Sequence, residues 1–506
     1  MRTLVWFRSD LRLHDNTALH YAARQSTRGV VALFILSPAE WKAHDYAPAR
    51  IDFWLKSLAE LSAALASRNI PLVISTAAKP SDVPGLILAA AKRHTCDALA
   101  FNKEYELNES NRDAATLALF EREGIPAHAH TDQSILEPGT LRTGEGRWYT
   151  VFTPFKKAAY ANLLKHHGSA AMPQLLSAPK KQELIGIASD PVPSTIPGFE
   201  YNPAPLDAEQ RSWLSNLHGG LAPGETAASK RLAWFAKDRL RAYKAGRDTP
   251  SLDATSLLSS ALAIGTISPR QCLAAALDVN RELFPKLNPS ATPGSSLLDT
   301  GSDGVATWIS ELLWREFYIH ILVGFPRVCM HRAFKPATER LRWKENASHF
   351  AAWCEGRTGV PLVDAGMRQL RAIGWMHNRV RMVTAMFLAK NLFIDWRRGE
   401  RFFMNHLVDG FLASNNGGWQ WSASTGTDAA PYFRIMNPAS QSATCDPTGD
   451  YIRRWVPELR GISGKDIHQP WELPLLLRGK LDYPSEPIVD LKRSRAAAIE
   501  AFQSLA

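Results

Sequence analysis

Two stretches in the C-terminal half set aromatic, ionic and hydrogen-bonding side chains at helical spacing. Within 305–323, Glu311, Trp314, Arg315 and Tyr318 stand at i, i+3, i+4 and i+7, which is one face of an α-helix. Within 375–392, Trp375, Asn378, Arg379, Met382 and Met386 repeat the pattern. An aromatic plane beside fixed donors and an adaptable thioether suits a flat, polar-edged ligand such as a nucleobase or a flavin ring. Taken singly, each helix reads first as core packing, with Glu311 and Arg379 paired at its rim. Taken together they favour a binding site. A third element, Asn415-Asn416-Gly417-Gly418-Trp419-Gln420-Trp421, is expected to form a tight turn, because Asn-Gly-Gly accepts positive φ.

These residues need a scaffold, and the chain changes character along its length. Apolar runs at 3–7, 30–36, 72–75 and 98–102 alternate with helical stretches such as 50–68, where Phe53, Leu55, Leu58, Leu61 and Leu65 make a buried stripe. Short continuous apolar strands between helices imply a doubly wound α/β domain whose parallel sheet is covered on both faces. The turn after the first strand, residues 8–16, lacks G-x-G-x-x-G, which argues against a dinucleotide-binding domain. Seven prolines between 173 and 205 mark a connection with little regular structure. Beyond it the pattern is helical nearly throughout, including a helix over 226–245 and another from 269, with a surface loop at 285–304. The expected organisation is an α/β domain (1–132), an interdomain linker (133–207), a larger all-α domain (208–478) and a C-terminal tail (479–506).

Composition sets outer limits. The chain has 506 residues, 45% hydrophobic and 21% charged, which excludes a disordered chain, a disulfide scaffold and a collagen-like repeat. Its five cysteines stand singly, so no metal-ligand set is expected and the thiols read as reduced. No apolar run reaches membrane-spanning length. The opening Met1-Arg2-Thr3-Leu4-Val5-Trp6-Phe7-Arg8 meets charge too early for a secretory leader. A cytoplasmic protein is expected. Of sixteen tryptophans, ten lie in the last 206 residues. Net charge is +10, and between Arg327 and Arg398 there are 14 basic residues against 5 acidic ones. That surplus fits either a polyanion-binding face or a solvated helical surface.

Longer motifs then carry a resemblance. Residues 374–379 (Gly-Trp-Met-His-Asn-Arg), 415–421 and 424–438 closely resemble the photolyase/cryptochrome flavoproteins. The opening Leu4-Val5-Trp6-Phe7-Arg8 with Asp10-Leu11-Arg12 and Asp15-Asn16, then Arg247-Asp248, Thr255-Ser256 and residues 314–318, fit the same family in the same order. The resemblance covers nearly the whole chain. It looks most like the class I cyclobutane pyrimidine dimer photolyases.

That resemblance implies FAD in the helical domain, held by Tyr243, Thr255, Ser256, Leu257, Leu258, Ser259, Arg381, Asp409, Gly410, Phe411 and Asn415. Relatives often carry Arg or Lys at 257 and an acid at 411, where this chain has Leu and Phe. It implies an Arg381–Asp409 pair and an amide, Asn415, facing flavin N5. Glu311, Trp314, Asn378, Arg379, Met382 and Trp421 would hold a flipped-out dimer. Trp343, Trp396 and Trp419 would carry electrons from surface to flavin, although without the resemblance structural burial is the preferred reading of all three. Arg247 and Arg434 would join the basic surplus on damaged DNA. His44, Asn108, Glu109 and Cys329 match positions that bind a methenyltetrahydrofolate antenna, while the bland reading of 105–109 is a polar loop. The implied enzyme is a monomer repairing pyrimidine dimers with light. The rival reading is a cryptochrome photoreceptor, disfavoured because only 35 residues follow Trp471 and the pocket pattern is retained.

Overall fold

Five short runs pair as a wholly parallel sheet: β1 (Thr3–Phe7), β2 (Val30–Leu36), β3 (Leu72–Thr76), β4 (Ala98–Asn102) and β5 (Ala127–His130). Their order is β3-β2-β1-β4-β5 in a computed structural model that describes residues 1–167, 172–287 and 302–505. Every residue of β1, β2 and β4 is buried, as helices on both faces require. The sequence reading missed β5. Ala-His-Ala-His has no β-branched residue, and it is a strand because β4 offers it a free edge, with Leu99 opposite Ala127.

The strand order reverses at β1, the position where such sheets commonly bind ligands. Here the crevice holds the protein's own side chains. Arg8 bonds Asp113 and the Asn102 carbonyl, while Asn102 Nδ2 donates to Asp10 Oδ2 (2.7 Å) and to Asn16 Oδ1 (2.9 Å).

The proline-rich connection, described from 172, has no helix or strand before Ala208, yet it is tied down. Gln182 exchanges hydrogen bonds with the Val30 backbone (2.7 and 3.1 Å). Asp190 accepts from Ile74 N (2.8 Å) and Ser189 Oγ from Leu72 N (3.1 Å), so the segment covers the otherwise open edge of β3. The expected linker also contains a helix, Phe152–His167.

Contacts divide the chain elsewhere than at 132, 207 and 478. One unit comprises 1–201, 218–243 and 256–324; the second comprises 202–217, 244–255 and 325–506. Within the first unit, Glu225 accepts from Leu13 N and His14 N, and Glu316 from Ile135 N and Leu136 N. Gly265 lies so close to Ser9 that a Cβ would sit 2.1 Å from the Ser9 carbonyl oxygen. Helices that read as all-α sequence therefore belong with the sheet.

The helix expected over 226–245 runs as Glu225–Asp238, breaks at Arg239 and resumes as short turns at Leu240–Ala242 and Tyr243–Gly246. The expected loop at 285–304 lies largely outside the described residues, and Pro269–Leu287 remains helical. The segment set apart as a tail carries the helix Leu491–Gln503, whose Ala498 and Phe502 pack with Leu341, Phe393 and Ile435. Tyr483 also donates its hydroxyl to buried Asp364. No described helix is long and apolar enough to cross a membrane.

Candidate functional site

In the first unit, helix Asp303–Gly324 places Glu311, Trp314, Arg315 and Tyr318 in one half-buried strip between buried neighbours, as their spacing predicts. Trp314 lies flat on Phe152, with ring centroids 3.8 Å apart and planes 9° apart. Helix Phe152–His167 therefore sets the indole, a partner that spacing within one helix could not reveal. Arg315 turns inward and donates to the Gln133 carbonyl (2.6 Å), which makes it a structural residue. Burial pushes the carboxyl of neighbouring Glu316 up to about 7.

The stretch 256–259 leads into a short helix, Ser259–Ile264. Leu257 sits at φ +53°, an uncommon conformation for a branched aliphatic residue. Arg231, 1% exposed, donates Nε to the Ser256 carbonyl (2.9 Å) and braces that loop. Sequence reasoning missed Arg231 because nothing nearby marks it. Leu257 and Leu258 are buried, and Tyr243 packs edge-on against Phe235.

His44, Asn108 and Glu109 do meet. His44 Nδ1 lies 3.2 Å from Glu109 Oε1, and Nε2 lies 3.1 Å from Asn108 Nδ2. Burial opposes the imidazolium, but the bond and charge of Glu109 outweigh it and raise the His44 pKa. Asn108 and Glu109 sit in the first turn of helix Leu107–Arg122 rather than in a loop. Glu40 completes a three-residue cluster, yet both its oxygens accept from Arg112 Nη1 (3.2 and 3.3 Å). Beneath, between Trp6, Trp41 and Trp54, only about 30 Å³ is open. That is room for a water at this point.

In the second unit, helix Asn378–Met386 follows Gly374, which ends the preceding helix in the left-handed conformation. Trp375 consequently lies outside the helix, buried and edge-on to His377, and does not share the Asn378 face. Met386 is core, 1% exposed. Asn378 and Met382 do share a face, with Nδ2 3.9 Å from Sδ. Arg379 is held by Asp248 (2.8 Å), which also lies 3.7 Å from Arg247.

Arg381 donates to the Met376 carbonyl (2.7 Å) and pairs with Asp409 Oδ2 (2.8 Å). Asp409 Oδ1 is buried without a hydrogen-bond partner among the described residues. Gly410 and Phe411 follow it, Phe411 as the N-cap of helix Leu412–Ala423.

The expected turn at 415–421 is instead the middle of that helix, and neither Gly417 nor Gly418 has positive φ. Side chains explain why. Asn415 Nδ2 donates to the Glu400 carbonyl (3.1 Å), Asn416 Nδ2 to Glu400 Oε1 (2.7 Å), and Gln420 Nε2 to Asn416 Oδ1 (2.9 Å). Glu400, 1% exposed and also 3.0 Å from His331 Nδ1, is the hub the sequence did not reveal. With one amide N–H held there, Asn415 leaves Oδ1 able to accept from a ligand N–H. No atom lies within 4 Å of where a Gly418 side chain would begin. An unmet carboxylate oxygen, a guanidinium, an oriented amide and a bare backbone fit a flavin-type heterocycle.

Trp396 and Trp419 are buried in one core cluster, and half-buried Trp343 packs against its edge and on Phe393 (4.9 Å). Gly399 makes the helix crossing possible, since a Cβ there would meet the Trp419 ring at 2.1 Å. Trp421 is half-buried, Arg434 is exposed, and Cys329 lies half-buried in the turn Pro326–Met330. The basic surplus is smaller on the surface than in the count. Arg327, Arg357, Arg368, Arg379, Arg381 and Arg397 are paired with acids and Lys390 is buried, leaving Arg332, Lys335, Arg340, Arg342, Lys344, Arg371 and Arg398 exposed without ion pairs among the described residues.

Comparison with known proteins agrees over the full length. Residues 3–177 match the family model described as DNA photolyase, and residues 308–504 match the FAD binding domain of DNA photolyase. The deoxyribodipyrimidine photo-lyase of Salmonella typhimurium is 43% identical over 99% of this chain and 98% of its own. Among solved structures, a class III photolyase from Agrobacterium tumefaciens superposes with a TM-score of 0.82 at 33% identity, covering 100% of this chain and 97% of that one. A Synechocystis cryptochrome gives 0.81 at 28% identity, covering 99% of each. Folded as a parallel α/β layer followed by helices, and matched along its length by photolyase models and full-length relatives, this chain belongs to the DNA photolyase family.

Proposed function

We propose the following residue-level account of light-driven repair of cyclobutane pyrimidine dimers in DNA, an activity the chain shares with its family. The observation that carries it is the Arg381–Asp409 pair, with its unmet carboxylate oxygen, in the same unit as an Asn415 whose oxygen is left to accept. Tyr243, Thr255, Ser256, Leu257, Leu258, Ser259, Arg381, Asp409, Gly410, Phe411 and Asn415 would hold FAD. When bound and reduced, FAD supplies on excitation the one electron that opens the cyclobutane ring, and takes it back.

The chain's own contribution is position and field. Asn415 Oδ1 would accept from an N–H of the bound cofactor, which would favour its reduced form. Arg381 keeps a positive charge beside an electron-rich ring. Trp314 and Trp421 wall a dimer extruded from the helix, and extrusion is easier for a photodimer because it stacks and pairs poorly. Glu311, Asn378 and Arg379 offer polar contacts to its edges, and Met382 fills the remaining wall. Trp343, Trp396 and Trp419, packed in and against one core cluster, would carry electrons from the surface toward the cofactor. Arg247 and Arg434, with the unpaired arginines, track DNA phosphates.

His44, Asn108 and Glu109, with Cys329, would take a folate antenna; the contacts His44 makes with Glu109 and Asn108 support this reading. The protein acts as a monomer on DNA in the cytoplasm. The functional division at 132, 207 and 478 belongs to this account.

The test is repair of a dimer-containing oligonucleotide by purified, FAD-reduced protein under blue light. Dimer loss in light and none in darkness is expected, with a lower repair yield per photon for Glu311→Ala. Full yield in that variant removes the role of Glu311. Photochemistry of bound FAD with no dimer loss favours a cryptochrome-type photoreceptor.

A further inference from the structure

The second unit holds a cleft of about 620 Å³ that none of these roles uses. Its walls come from Asn391, the run 435–438, Gln469, Trp471, Arg478 and the segment 486–495. Its volume is that of a site for a nucleotide-sized molecule.

Three features of the wall point to a ligand. Asn391, 4% exposed, donates Nδ2 to Ser494 Oγ (3.1 Å), while its Oδ1 is buried with no partner among the described residues. Arg478 bonds the Trp471 carbonyl (2.9 Å) and lies 3.7 Å from Glu486, while its Nε is likewise buried and unmet. One orphaned acceptor and one orphaned donor on the same wall are costly unless a visitor satisfies them. The third feature is charge. Lys492 and Arg495, one turn apart on helix Leu491–Gln503, are exposed and make no salt bridge among the described residues. Of the two acids on the wall, Asp490 accepts the Lys492 and Arg493 amides (both 2.8 Å) and faces the Lys492 charge, and Glu486 lies by Arg478.

We infer that this cleft binds a phosphorylated planar metabolite of mononucleotide size. The phosphate meets Lys492 and Arg495 as charge-assisted hydrogen bonds. The ring lies toward Trp471, and a ring N–H donates to Asn391 Oδ1. Because the 491–503 helix supplies the cations and Ser494 holds Asn391, occupancy also pins that helix to the body of the unit.

The FAD-loaded enzyme is titrated calorimetrically with AMP, adenosine and inorganic phosphate, with the FAD absorption band recorded throughout. One saturable AMP site is expected, with adenosine and phosphate each binding more weakly and FAD retained. The double variant Lys492→Ala/Arg495→Ala loses AMP affinity by about tenfold or more, with its dimer repair unchanged. Asn391→Leu loses AMP affinity but keeps that for phosphate, in a preparation whose melting curve shows it folded. Equal AMP affinity in wild type and the double variant overturns the proposal, as does an absence of saturable AMP binding. If the double variant instead loses affinity only for an undamaged single-stranded oligonucleotide, these cations belong to the DNA path and the proposal also fails.

Discussion

In the proposed account, much rests on a single amide orientation. Asn415 could present either end to a cofactor, and the bond from its Nδ2 to the Glu400 carbonyl sets which. Residue identity at 415 was visible in the chain; its orientation depends on a carbonyl fifteen positions away. Trp419 shows the same division. It is 2% exposed, and Trp353 and Phe403 meet it edge-on at 6.0 and 4.9 Å. Phenylalanine at 419 preserves most of that packing but removes an easily oxidised indole. Trp419→Phe is therefore expected to block light-driven reduction of oxidised FAD, read as loss of the flavin bleaching signal, while chemically reduced enzyme still repairs. Unimpaired photoreduction in that variant would return Trp419 to a packing role.

At the scale of elements, two helix contacts carry testable weight. Helix Trp396–Met404 meets Leu412–Ala423 through bare Gly399, against which the Trp419 ring is pressed. Gly399→Ala forces overlap with a rigid ring and costs about 1–3 kcal/mol; chemical denaturation measures it, and slower photoreduction is expected alongside. The second contact is the dock of helix Leu491–Gln503. Lys390 lies in the turn Phe387–Asn391 with its Nζ 3.5 Å over the Phe502 ring and no hydrogen-bond partner among the described residues. Burial, reinforced by Lys335, lowers its pKa from 10.5 to about 7. Between those values the unfolded chain holds one proton more than the folded one, so this residue makes stability rise with pH across the window. Lys390→Met is expected to raise Tm most at pH 7 and below, with the difference closing toward pH 10. An equal Tm gain at every pH would show that Lys390 is charged in the fold. The Gly-Gly helix is the opposite lesson for sequence reading: local propensity favoured a turn at 417–418, but four side-chain bonds around Glu400 and a helical backbone outweighed it.

For the whole molecule, charge predicts behaviour on DNA. With Arg368, Arg379, Arg381 and Arg397 internally paired, the phosphate-binding charge rests on fewer residues than the count of 14 implies. Affinity for dimer-containing duplex should fall log-linearly with salt, by a slope of about −0.9 per phosphate neutralised. Neutralising Arg434 should shallow that slope by about one contact, whereas neutralising Arg368 should leave it unchanged. Binding indifferent to ionic strength would contradict a phosphate-tracking face. The amino-acid sequence by itself determined the alternating α/β start, the helical remainder and the family, and it put forward the candidate site residues. Those are properties of periodicity and of ordered motifs, and they survive without coordinates. Tertiary structure alone decided that 218–243 and 256–324 pack with the sheet, that Arg315 and Met386 face the core, and that Glu400 and Arg231 brace the site. Each of these depends on a partner remote in the chain. Hydrogen bonds and close packing between distant residues leave no periodic trace in the segments that make them.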